Sequence, residues 1–255
     1  MAAAPLPPVD ATPETPQGAP LSQSERIINT FVAPNKTFID LRHSASWWAP
    51  FLLMAVVWIG FVYIAGEKVG FRKALENQMQ NQPKQMAALE RLPPADREQR
   101  LDGGAKFTKV FWNIFPMFQL IVLLIITGAL FGTFKLAAGA NVPFKTSLAI
   151  VIYAGLPGVL KIILAIITLI AGASPDSFTF ENPIGSNIGY YLNSTDSRFL
   201  HAFGSFIDVF LIWTLVLTAI GFTCVSKVKR GTAFAIVFGW WLFFSLALSS
   251  LALLS

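Results

Sequence analysis

The chain has 255 residues, of which 54% are hydrophobic and 13% charged, with a net charge of +5. Soluble domains carry roughly 25% charged residues, so this balance removes most soluble-enzyme classes at the outset. One cysteine (Cys224) and two histidines (His43, His201) exclude an internal disulfide, a cysteine-based metal site and a conventional zinc site.

Residues 1–23 read as a disordered proline-rich tail. Pro5, Pro7, Pro8, Pro13, Pro16 and Pro20 sit among Ala, Thr and Gln, with too little apolar surface to offset the entropy of ordering. The first twenty residues hold no Lys or Arg and no apolar run, so no cleavable signal is expected. The remaining residues, 24–255, read as one membrane domain. Its lead-in, "SERIINTFVAPNKTFIDLRHSASWW", puts Ile27, Ile28, Phe31 and Val32 on one helical face. Ala33-Pro34-Asn35 interrupts it, and Phe38, Ile39 and Leu41 resume the pattern. Arg26, Lys36 and Arg42 supply the polar side. This predicts an interfacial amphipathic element. Trp47 and Trp48 fall at the headgroup level where a span begins. Lipid or partner contact is therefore expected at Arg26, Lys36, Arg42, Trp47 and Trp48.

Five apolar stretches follow, at 48–65, 111–134, 148–171, 206–225 and 233–254. A helix rising ~1.5 Å per residue needs ~20 apolar residues to cross a ~30 Å hydrocarbon core. The fold class predicted is all-α, a polytopic bundle of five transmembrane helices. Between the first two, residues 67–109 are polar, with Phe71, Leu75 and Met79 four apart and Met86, Leu89 and Leu92 three apart. They predict two or three short amphipathic helices outside the membrane, one starting at Pro93-Pro94. "KLAAGANVPFK" makes the second and third spans a close hairpin. Residues 172–198 read as an irregular loop with turns at Asn182-Pro183 and Ser186-Asn187. No internal repeat is visible, so an inverted-repeat transporter has little support.

Orientation follows from Lys and Arg near short loops. Arg26, Lys36, Arg42, Lys135, Lys145, Lys227, Lys229 and Arg230 share one side, while 172–198 carries Arg198 against Asp176, Glu181 and Asp196. The basic loop 67–109 runs against this trend. The expected topology has the N-terminus cytoplasmic and the C-terminus external. Because the basic residues flank spans, membrane lipid is the expected partner and nucleic acid is not.

Two ionisable groups lie inside apolar spans, Lys161 in the third and Asp208 in the fourth. Such groups are expensive in lipid. The two spans run antiparallel, and a lysine stem can reach outward by snorkelling, so Lys161 and Asp208 are expected to pair. The pair reads as an ion pair fixing helix register or as a substrate or proton site. Pro157, one turn before Lys161 and between Gly155 and Gly158, predicts a helix kink. Gly128 and Gly132, and Ala235 and Gly239, are small-residue steps that suit close packing within the monomer or a dimer seam. Asn35 and Asn193 match the glycosylation pattern and receive no role. Phosphate loops, paired catalytic carboxylates and Ser–His–Asp arrangements are absent from the sequence. Neither catalysis nor a cofactor nor a metal is expected.

The order of these features resembles the Yip domain family (Ypt/Rab-interacting proteins), in its bacterial branch. The resemblance rests on "ERIINTFVAPNKTFIDLRHSASWWAPFLL", "AIVIYAGLPGVLKIILAIITLIAG", "ENPIGSNIGYYL" and "SFIDVFLIWTLVLTAIGF", then a basic turn and Gly239-Trp240-Trp241. It implies five membrane helices, a cytoplasmic N-terminus and a multi-pass location in the bacterial cytoplasmic membrane. Eukaryotic members bind lipidated Rab-type GTPases and shape membranes, and carry an Asp-Leu-Tyr-Gly-Pro motif. This chain keeps Asp40-Leu41 and a later Pro50. The expected role is a non-catalytic membrane organiser or adaptor that binds lipid, a protein partner or a second copy. The rival is a small transporter or channel with a midplane site at Lys161 and Asp208.

Overall fold

A computed structural model describes residues 19–80, 82–192 and 197–253. Most of the proline-rich tail, Asn193, Asp196 and the last residue of the final apolar stretch, Leu254, lie outside the described residues. Eleven α-helices occupy the described chain: α1 (Gln23–Val32), α2 (Pro34–Asp40), α3 (Trp48–Lys68), α4 (Phe71–Gln80), α5 (Pro83–Glu90), α6 (Pro94–Ala137), α7 (Phe144–Ala154), α8 (Pro157–Ile170), α9 (Arg198–Ser205), α10 (Val209–Val225) and α11 (Arg230–Leu251). The class is all-α, a polytopic helical bundle.

Among the described residues, four helical segments are long and apolar enough to cross a membrane: α3, α6, α7 with α8 taken together, and α11. The fifth apolar helix, α10, is shorter, at 17 residues. It starts three residues later than the apolar run because the Asp208 side chain caps it, accepting from the N–H groups of Phe210 and Leu211. Its rise of ~26 Å is at the lower limit for a span.

One expectation changes. The third amphipathic helix and the second span are one unbroken helix, α6, of 44 residues. Gly103-Gly104 would ordinarily favour a break there. Instead α4 packs across it, and a Cβ on Gly104 would lie 2.6 Å from Leu75 Cδ2, so the glycine permits the contact that holds the helix. The third span is interrupted at Gly155-Leu156, next to Pro157. Tight i to i+3 turns run through Gly155 and Leu156, and Pro157 opens α8 at a position where its missing N–H costs nothing.

The bundle is built around α7, in which every residue from Thr146 to Ala154 is buried. Helices α2, α3, α6, α10 and α11 enclose it in the main core. Phe134 of α6 stacks on Phe222 of α10 at 3.9 Å. Gly221 lets α10 close on α7 and α2, since a Cβ there would lie 2.4 Å from Ile150 and 3.1 Å from Phe38. A second, aromatic core joins Trp58, Phe61, Phe178 and Phe180. A third, small one seats α4 and α5 on the extramembranous part of α6 through Met79, Leu89 and Leu101. Leu52, Val56, Ile59 and Tyr63 form an exposed stripe on α3, as a lipid-facing surface requires.

Chain order places α1, α2 and the α6–α7 and α10–α11 connections at one end, the hairpin side. The helices α4, α5 and α9, with residues 171–192 and 206–208, form the opposite end, the loop side.

Candidate functional site

On the hairpin side, Ser22 caps α1 through a reciprocal capping box with Glu25. Helix α1 turns directly into α2, and the two pack together over α10. Arg26 does not lie on a solvent-facing polar side as the sequence pattern implied. It is 2% exposed. Its Nε donates to Asp40 Oδ2 at 2.5 Å and its Nη1 to the Ser44 carbonyl at 2.9 Å. The Leu21 N–H also donates to Asp40, at 3.2 Å. Thr30 and Thr37 donate to the Arg26 carbonyl, each at 2.8 Å. A guanidinium can be buried only with a countercharge and acceptors for its donors; Asp40, the first residue of the retained Asp-Leu pair, supplies the charge and one acceptor, and the Ser44 carbonyl supplies another. Arg26 is therefore not available as a lipid or partner contact.

The outward face of α1 is apolar instead, with Ile28 60% and Val32 73% exposed. Lys36 and Arg42 are exposed beside it. An Arg42 Nη2 donates to the Cys224 carbonyl at the last turn of α10, where a cation also suits the helix dipole. Trp48 is 57% exposed, whereas Trp47 is half-buried against Phe51 and the main core. Lys135, Lys145, Lys227, Lys229 and Arg230 are exposed at the same end.

Across the bundle, Lys161 Nζ lies 2.9 Å from Asp208 Oδ2. Asp208 is the cap of α10 rather than a residue inside it. Its Oδ2 also accepts from Ser186 Oγ at 2.5 Å, and its Oδ1 accepts from Phe210 and Leu211 N–H at 2.9 and 3.1 Å. An antiparallel bridge joins Asn187 to Asp208, with Val209 N–H donating to the Ser186 carbonyl. One carboxylate thus fastens the 172–198 loop, the start of α10 and the middle of α8.

The loop side holds a cleft of about 560 Å³ between α4, residues 176–182, α9 and the end of α11. Asn77 in its wall is 4% exposed. Its Nδ2 donates to the Pro175 and Phe178 carbonyls at 2.7 and 2.9 Å, while its Oδ1 is buried without a partner among the described residues. Gln78 donates to Glu181 at 2.6 Å. Desolvation in the cleft raises the Glu181 carboxyl pKa and lowers that of the His201 imidazole. Lys73 pairs with Asp176 at 2.7 Å on the rim. Among the described residues, no three His, Cys, Asp or Glu side chains are grouped to hold a metal ion.

Spans of this length, a polar layer at each end and lipid-facing apolar stripes define a multi-pass integral membrane protein. A family model for the Yip1 domain matches residues 28–251, and the chain belongs to that family. Curated proteins and solved structures give no match.

Proposed function

We propose that the protein is a non-catalytic membrane organiser or adaptor whose contact surface is the outward face of the α1–α2 hairpin. The observation that carries this is the inside-out polarity of α1. Arg26 and Thr30 point into the protein, and Ile28 and Val32 point away from it. An apolar face beside the exposed cations Lys36 and Arg42 suits the lipid–water boundary. Membrane lipid is its first ligand, and a protein partner or second copy would dock on the same face. The positive-inside pattern supports placing the hairpin on the cytoplasmic side, and a bacterial cytoplasmic membrane is the location that the family resemblance implies.

The test extracts the tagged protein in native-lipid discs and identifies what travels with it by mass spectrometry. An Ile28→Ser/Val32→Ser variant of unchanged thermal stability is expected to lose a stoichiometric partner or its anionic lipid. An identical retained set in wild type and variant would sink this reading. Transport at Lys161 and Asp208 has weaker support, because the Asp208 carboxylate already accepts four hydrogen bonds. Flux abolished by Asp208→Asn, with the fold intact, would favour it.

A further inference from the structure

Helix α10 is short for a span, and the chain just before it is not a loose connection. Helix α9 packs on α11. Trp241 Nε1 donates to the Phe206 carbonyl at 3.3 Å, which ties the end of α9 to the middle of α11. Arg198, the first residue of α9, lines the same cleft as Ala252, just past the end of α11. Helix α9 therefore descends antiparallel beside the loop-side half of α11. The 22 residues of α11 rise ~33 Å, so nearly all of them are needed to cross a ~30 Å hydrocarbon core. The half beside α9 keeps Phe243, Leu246 and Leu251 exposed, as a lipid-facing surface does.

A second span places the junction of α9 and α10 at the same depth. Lys161 reaches Asp208 at 2.9 Å, yet α8 runs on to Ile170, with Ile163, Ile167 and Ile170 exposed. That is ~13 Å of further rise, of which a lysine stem leaning outward recovers ~6 Å. The backbone at the junction is satisfied as hydrocarbon depth demands. Phe206 and Ile207 N–H donate to the Phe203 and Gly204 carbonyls, both at 3.0 Å. The Phe206 carbonyl accepts from Trp241, the Ile207 carbonyl accepts from Ile188 N–H at 3.3 Å, and Val209 N–H donates to the Ser186 carbonyl at 3.1 Å. Gly189 lets residues 189–191 lie directly against α9, since a Cβ there would be 2.5 Å from the His201 carbonyl.

We propose that α9 and α10 form one discontinuous membrane span, with α9 embedded in the loop-side leaflet against lipid acyl chains. Helix α9 adds ~12 Å to the ~26 Å of α10, which brings the fourth span to the length of α7 with α8. Its two sides meet different surroundings. Arg198 and His201 line the cleft. Leu200 is 55% exposed and Val209, at the junction, 65%, and neither lines the cleft. At this depth an exposed apolar side chain turned from the cleft meets acyl chain. The third and fourth spans are then both interrupted, and Lys161 pairs with Asp208 at the fourth's interruption. This surface is separate from the α1–α2 face and does not depend on it.

The test measures depth in the full-length protein reconstituted in lipid discs. Cys224 is the only cysteine, so Cys224→Ser provides a background for single nitroxide labels. Leu200→Cys and Val209→Cys report on the proposed surface. Phe243→Cys on α11 is the lipid reference, and Gln99→Cys on the protruding part of α6 is the water reference. All four native side chains are exposed, so the label displaces no packing. Collision with oxygen, which concentrates in hydrocarbon, is compared with collision with a water-soluble nickel chelate. The oxygen-to-chelate ratio at Leu200→Cys and Val209→Cys is expected to match that at Phe243→Cys and to exceed that at Gln99→Cys several-fold. A ratio at either position closer to the water reference than to the lipid reference overturns the proposal.

Discussion

Replacing Asp40 by Asn tests the buried pair that holds the hairpin together. The amide keeps the shape of the side chain and can still accept from Leu21 N–H. It removes the countercharge from a guanidinium that is 2% exposed and 2.5 Å away. Stranding one member of a buried ion pair costs about 3–5 kcal/mol, or roughly two to three and a half orders of magnitude in an equilibrium constant. The contacts that orient the pair come from Leu21 and Ser44, at the two ends of the hairpin. The loss therefore falls on α1 and α2 before it reaches α7. Hydrogen exchange followed by mass spectrometry in discs is the assay. Amides of α1 are expected to exchange faster by about the factor above, where exchange follows local opening, and those of α7 are expected to hold their rate. Arg26→Met/Asp40→Asn removes the stranded charge as well, and is expected to recover most of the protection, since apolar replacement of a buried pair is often neutral or stabilising. Unchanged exchange in the single variant, or a double variant no better protected than the single, refutes the reasoning.

Ser186→Ala removes one of four hydrogen bonds to the Asp208 carboxylate and is expected to cost about 1–2 kcal/mol, read as a lower midpoint in thermal unfolding. Lys161→Met strands that carboxylate and should cost more than Ser186→Ala; equal costs would mean that the lysine contact contributes little. Gly221→Val drives a side chain into Ile150 and Phe38 and is expected to destabilise the bundle by at least about 1–3 kcal/mol, whereas Gly128→Val, where a Cβ meets nothing within 4 Å, should be near neutral. The Lys73–Asp176 contact sets a pH window. Its hydrogen bond holds the Asp176 carboxyl below its ordinary value and the Lys73 ammonium above its own. The contribution is therefore present above ~4, is lost as pH falls through the lowered aspartate value, and is lost at the alkaline end as pH rises past ~10 through the raised lysine value. Exchange protection of residues 175–178 should fall at both ends, and Lys73→Met should flatten the profile.

The apolar helices were legible because lipid imposes a length on them: the stretches at 48–65 and 233–254 lie on α3 and α11 nearly end to end. Lys161 and Asp208 stood out because a charge within an apolar run has strong contrast. Ser186 had none, being one serine in a polar loop, and no pattern marks the residue that will meet a carboxylate 22 positions away. Arg26 was misplaced for a physical reason. Helical periodicity finds two faces, and water makes the polar one outermost by default. Next to a bilayer that default fails, and the signal that could have corrected it was Asp40, an acid enclosed by Phe38, Ile39 and Leu41. Asn77 was hidden within the ordinary polar face of α4. The continuity of α6 depended on neighbours, Leu75 over Gly104 in particular, that local sequence does not reveal.

The length of α6 has a mechanical consequence. Forty-four residues span ~66 Å, about twice the hydrocarbon thickness. Its two halves stay joined through Pro116 with no break in the helix, so tilting the buried half carries the protruding half with it. A thinner bilayer that leans the buried half by ten degrees sweeps the far tip sideways by roughly 5 Å. Helices α4 and α5 ride on that tip. The protein thus carries a lever with its fulcrum at the loop-side headgroups, and membrane thickness is transcribed into the position of a layer outside it.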